Sequence, residues 1–118
     1  MTVNKLMQIE LAIEAIKSQL RHIGPMRPGS LTRQYRHPKE HAGAFFQLSY
    51  TRDMKSRTEY VRPEFVKDLR LRLRNYKKLK KLFEKWIGLG IEHSRLSMRL
   101  EIERAIGDVE RRRKHHHG

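Results

Sequence analysis

Residues 63–86, PEFVKDLRLRLRNYKKLKKLFEKW, decide how this chain is read. Phe65, Leu69, Leu73, Tyr76, Leu79, Phe83 and Trp86 or Ile87 recur every three or four residues, which is the spacing of one helix face. Pro63 suits the first position of a helix, and Glu64 and Asp68 set negative charge near the positive end of its dipole. A long helix is therefore expected to begin here. Between Arg62 and Lys85 ten Lys/Arg stand against three Asp/Glu, +7 of the chain's +14 within 24 residues. Arg70, Arg74, Lys77, Lys78, Lys81 and Lys85 fall largely off the apolar stripe, so one side of the helix packs and another attracts anions.

Working outward toward the N-terminus, residues 44–62 read as a β-hairpin. Phe46, Leu48 and Tyr50 alternate with Phe45, Gln47 and Ser49, and Thr58 and Tyr60 alternate with Glu59 and Val61. The turn RDMKS between the arms carries Arg52 and Lys55, with Arg57 just beyond and only Asp53 opposing, an exposed basic knuckle. Residues 25–43 hold three of the four prolines and two glycines and read mainly as a basic loop. Within it Leu31, Arg33 and Tyr35 would share a side in a short extra strand. Over residues 1–24, Leu6, Ile9, Ile13, Ile16, Leu20 and Ile23 form a heptad-like seam that Gly24-Pro25 ends.

Toward the C-terminus, Gly88-Leu89-Gly90 interrupts the long helical pattern, and a kink or tight turn is expected there. Ile91, Met98, Ile102, Ala105 or Ile106, and Val109 resume the spacing in another phase, which reads as a second helix, folded back or kinked, ending near residue 112. Residues 113–118 form a basic tail whose histidines, His115–His117, enter no site. The expectation is a single α+β domain over residues 1–118: an N-terminal helix, a small antiparallel hairpin or three-stranded sheet, a long basic helix and a C-terminal helix.

The composition narrows the function. With 27 Lys/Arg against 13 Asp/Glu, self-repulsion opposes compaction unless counterions or an anionic partner intervene. There is no Cys, which excludes disulfides, thiolate metal sites and thiol nucleophiles. No segment reads as a signal peptide or a membrane span, so a cytoplasmic setting is expected, with association to the nucleoid as one form of it. His37 and His41 flank Glu40 in a Pro-containing loop, too few ligands for a structural metal site, and neither a cofactor nor a metal is expected. No phosphate-cradling glycine motif, nucleophile elbow or carboxylate cluster is present, so no enzymatic activity is expected.

The expected partner is nucleic acid, held at its phosphates by Arg70, Arg74, Lys77, Lys78, Lys81 and Lys85 together with Arg52, Lys55 and Arg57. Arg33 and Arg36, with Gln34, Gln47 and Arg52, are candidates for base contacts if the sheet enters a groove, and Phe45 and Tyr35 for stacking on unpaired bases. An oligomerising helical scaffold, built from the N-terminal seam and the C-terminal helix and docking an acidic protein, is the competing expectation.

Pro28-Gly29-Ser30-Leu31 with Tyr35, then Gly43 with Phe45-Phe46 and Leu48, Arg57 with Tyr60-Val61 and Pro63, and finally Val66 and Tyr76, form a spaced pattern over residues 25–87. In this the chain resembles a family of short, basic bacterial and archaeal proteins often encoded beside transposases and other mobile elements. The resemblance implies the same architecture and a mobile-element setting, which tilts the expected ligand toward DNA. Many members of that family carry a cysteine-rich insertion before the Gly43 position, suggestive of a metal knuckle. This chain has RHPKEHA there, residues 36–42, and lacks it.

Overall fold

The computed structural model describes residues 2–116. Helix α1 spans Thr2–Arg21, strands β1 Ser30–His37, β2 Ala42–Arg52 and β3 Lys55–Val61 follow, and helix α2 spans Val66–His116. Short 3-10 turns occupy Pro38–Glu40 and Pro63–Phe65. The protein is α+β, with its strands in one antiparallel sheet of order β1-β2-β3. Packing is divided between two compact units, one of His22–Lys81 and one of Met1–Arg21 with Leu82–Gly118.

In the unit His22–Lys81, β1 is the strand within the Pro/Gly-rich stretch. Its register sets Leu31 opposite Leu48, Arg33 opposite Phe46 and Tyr35 opposite Ala44, so the three share a side. Strands β2 and β3 pair from Phe46↔Val61 to Arg52↔Lys55. The turn between them is two residues, not five: Asp53 and Met54 both have positive φ, 52° and 64°. That is the backbone of a type I′ turn, whose twist matches the strands it joins.

The core of this unit joins Leu48, Val61, Val66, Leu69 and Leu73, with Leu31, Phe46 and Tyr50 partly buried against it. One face of the sheet thus lies under the first turns of α2. Each large aliphatic side chain taken out of water contributes about 1.5–3 kcal/mol, and Leu48, wholly buried, sits at the centre. The segment before β1 is tied to the same helix, Asn75 Nδ2 donating to Pro25 O at 2.8 Å and Arg27 N to Arg72 O at 3.3 Å.

The apolar stripe expected on the long helix is corrected at two points. Phe65 is 59% exposed and Val66 is buried in its place. Pro63–Phe65 wind as a 3-10 turn, closed by Phe65 N on Arg62 O at 3.0 Å, so α-helical phase begins only at Val66. Further on, Leu82 is buried while Phe83 is exposed and stacks on Trp86. The buried stripe changes where the packing partner changes from the sheet to α1.

In the unit Met1–Arg21 with Leu82–Gly118, α1 runs antiparallel to α2. Lys17 Nζ lies 5.5 Å from the Trp86 ring centre, Glu10 meets His93 at 3.0 Å, and Lys5 meets Glu92 at 3.4 Å. Ile9 and Ile16 of the expected seam are buried, and Leu6, Ile13 and Leu20 are half-buried. The tight turn expected as one outcome at Gly88–Gly90 is not formed: α2 continues as α-helix through both glycines to His116. Each Gly costs about 1 kcal/mol against Ala in a helix, but α1 is fastened to α2 on both sides of them, at Trp86 and at Glu92 and His93. Tertiary packing overrides propensity. The expected basic tail is helical as far as His116, and its last two residues lie outside the described ones.

Candidate nucleic-acid interface

The unit His22–Lys81 carries sixteen Lys/Arg against five Asp/Glu, +11 of the chain's +14. Helix α2 orders part of this charge. Arg70, Arg74, Lys77 and Lys81 are spaced by four, three and four residues, so they form one exposed stripe. Lys78 is exposed beside it, and Lys85, also exposed, belongs to the other unit. The stripe flanks the buried residues because its members follow Leu69 and Leu73 by one position each.

Arg70, Arg74 and Lys77 line a cleft of about 400 Å³ together with Gly29, Ser30, Leu31 and Leu73. Gly29, at its rim, packs its backbone directly against β2. With φ at 140°, a Cβ there would come within 2.7 Å of Leu48 Cδ1 and 3.1 Å of Ser49 O. Three cations thus converge on one opening between α2 and the start of β1.

Nearby carboxylates do not neutralise the stripe. Glu59 pairs with Arg27 at 3.3 Å, Asp68 with Arg72 at 2.8 Å, and Glu64 approaches Arg62 at 3.8 Å. Among the described residues none of Arg70, Arg74, Lys77 or Lys81 is ion-paired. The Glu59 cluster is structural. Tyr50 Oη donates to Glu59 Oε1 at 2.8 Å, and the Arg27 guanidinium lies 5.0 Å from the Tyr50 ring centre. The Tyr50 hydrogen bond, then Arg27, holds the Glu59 carboxyl below the usual glutamate value, and the same bond raises the Tyr50 phenol.

The hairpin tip holds a second group of cations. Arg52 and Lys55 face each other across the turn and Arg57 lies opposite Tyr50, all exposed, with Met54 between them 98% exposed. Arg33 is engaged differently, its guanidinium 5.5 Å from the Tyr35 ring centre and 6.0 Å from that of Phe46. Arg36 is exposed and its stem runs past Gly43, on the opposite face of β1 from Arg33.

The two stacking candidates separate. Tyr35 is on the same side of the sheet as Leu48 and meets His41 edge-on at 5.0 Å. Phe45 is on the other side, 6.4 Å from Tyr60, which is 61% exposed. Sequence reading missed Tyr60 because the register depends on the two-residue turn. Asp53-Met54 is not a usual type I′ pair, and a five-residue turn left the cross-strand partners open. Among the described residues no group of three or more His, Asp or Glu side chains is placed to hold a metal ion. No helix among them is long and apolar enough to cross a membrane. Together the fold and this surface define a basic α+β protein with a cationic cleft. No family model, curated protein or solved structure matches the chain.

Proposed function

We propose that this protein binds nucleic acid, gripping the phosphate backbone with the α2 stripe and the hairpin tip. One observation carries the reading: +11 of charge is gathered in His22–Lys81, its stripe of Arg70, Arg74, Lys77 and Lys81 makes no ion pair among the described residues, and the first three of these line a cleft. A face that served only solubility would interleave the two signs. Binding of this kind releases counterions, so affinity falls steeply with salt. The family resemblance supplies a setting, an accessory component of a mobile-element nucleoprotein assembly in the cytoplasm or nucleoid, with DNA favoured over RNA for that reason.

The test is titration of a labelled duplex at graded salt. Changing Arg70, Arg74, Lys77 and Lys81 together to Glu should abolish binding, and changing them to Gln should flatten the plot of log affinity against log salt by about 3–4. An unaltered affinity and slope would refute the assignment.

A second reading, an oligomerising scaffold for an acidic protein, is favoured by one feature. Met98, Ile102, Ile106 and Val109, each 50% exposed or more, line one side of the end of α2. Light scattering on nucleic-acid-free protein, wild type against Ile102→Lys with Ile106→Lys, checks it. A wild-type dimer that the substitutions split and that ignores DNA and RNA would favour the scaffold.

A further inference from the structure

Strand alternation gives the sheet a second face that α2 does not use. It carries Thr32, Gln34 and Arg36 from β1, Phe45, Gln47 and Ser49 from β2, and Thr58 and Tyr60 from β3. Phe45 and Gln47 are half-buried and the others exposed. Two aromatic rings on an otherwise polar, open sheet face are unusual. A cross-strand aromatic pair does stabilise a sheet, but Phe45 and Tyr60 are diagonal, since Tyr60 lies opposite Gln47 and Gln34 opposite Phe45. Their rings are tilted by 30° with centres 6.4 Å apart, and Tyr60 is 61% exposed. Ring surface is left to water.

The surroundings of the pair match a nucleobase. The Gln47 side-chain amide makes no hydrogen bond among the described residues, and the Gln34 amide is held only by a 3.5 Å bond to Thr32 Oγ1. Each offers a donor and an acceptor beside the rings. Arg36, an exposed cation, lies one pleat from Phe45 on this face. Rings for stacking, amides for base edges and a guanidinium for phosphate thus occupy one surface, within the unit that holds +11 of charge.

We infer that this face is a stacking platform for unpaired bases, and that the nucleic acid bound is single-stranded where it crosses the sheet. The inference rests on the nucleic-acid reading above and narrows it. Bases in a duplex are stacked on each other and present no ring face, whereas an extended strand lays its bases on aromatic side chains at about 1–3 kcal/mol each. Tyr60 and Phe45 take one base each or share one, and the cations track the backbone.

The probes are a 12-nucleotide single strand of DNA with a central 2-aminopurine, the same strand as RNA, and the DNA annealed to its complement. The single strand should bind more tightly than the duplex at equal salt, and 2-aminopurine fluorescence should be quenched on binding. Tyr60→Ala should weaken the single strand by about five- to hundredfold, leave duplex affinity and the salt slope unchanged, and be rescued by Tyr60→Phe. Tyr60 is largely exposed, so folding is not at stake; Phe45→Ala, checked by circular dichroism, is the second variant. Tighter binding of RNA or of DNA identifies the source, and either satisfies the inference. If strand and duplex bind alike and Tyr60→Ala changes neither, the platform is refuted while phosphate binding stands. If no probe binds, both readings fall.

Discussion

At the scale of single residues, two positions hold the sheet unit in shape. Gly29 has a backbone conformation that L side chains rarely adopt, and its missing Cβ is the space taken by Leu48 Cδ1. Gly29→Ala should cost about 1–3 kcal/mol, seen as a lowered urea midpoint, and should distort the cleft beside Arg70 and Arg74. Tyr50 and Glu59 form the other. Glu59 has a depressed pKa, so its contribution is present above the ordinary glutamate range and is lost as pH falls through its lowered value. Tyr50 has a raised pKa, so its contribution is present below the ordinary tyrosine value and is lost as pH rises through its raised value. Tyr50→Phe should therefore lower the urea midpoint most near neutral pH, with the gap closing at both acid and alkaline ends. Neither position is legible beforehand. Gly29 reads as one glycine among several in a loop, and Glu59 as one more charge in a hairpin, because both act through neighbours distant in the chain.

At the scale of elements, α2 is where propensity and packing disagree. Local rules put a break at Gly88–Gly90, and the helix runs through. Nothing lies within 4 Å of a Cβ built on either glycine, so neither is required for close approach. Gly88→Ala and Gly90→Ala should each stabilise by about 1 kcal/mol, read as a rise in Tm of several degrees for the pair. A fall in Tm would mean that the glycines accommodate a contact or a bend. The elements themselves were readable, since period 3.6 and period 2 are written in the residues of α1, β2, β3 and α2. Strand β1 was half-legible, in the alternation of Leu31, Arg33 and Tyr35. Its pairing depended on β2, which offers Leu48, Phe46 and Ala44 at matching positions.

At the scale of the whole molecule, charge opposes folding. The ion pairs with Lys and Arg are few and lie at the surface, so screening them costs little, while screening +14 of like charge relieves repulsion. Raising NaCl from about 0.05 to 0.5 M, a span that shortens the Debye length severalfold, should raise Tm. Tripolyphosphate should do so at far lower concentration by occupying the cationic cleft. Loss of that effect in the Arg70, Arg74, Lys77 and Lys81 variant, checked by differential scanning fluorimetry, would locate the polyanion on the stripe.

By itself the sequence determined the class of elements, their order, the excess of positive charge and its concentration on one helix, because periodicity and composition are properties of neighbours along the chain. Only tertiary structure decided which face of the sheet α2 covers, and so that Phe45 and Tyr60 share the open face while Tyr35 does not. It also decided that the buried stripe of α2 shifts to Val66 and then Leu82, and that two glycines stay helical. These outcomes depend on partners remote in sequence and on a register set by the two-residue Asp53-Met54 turn, and short-range patterns carry no information about either.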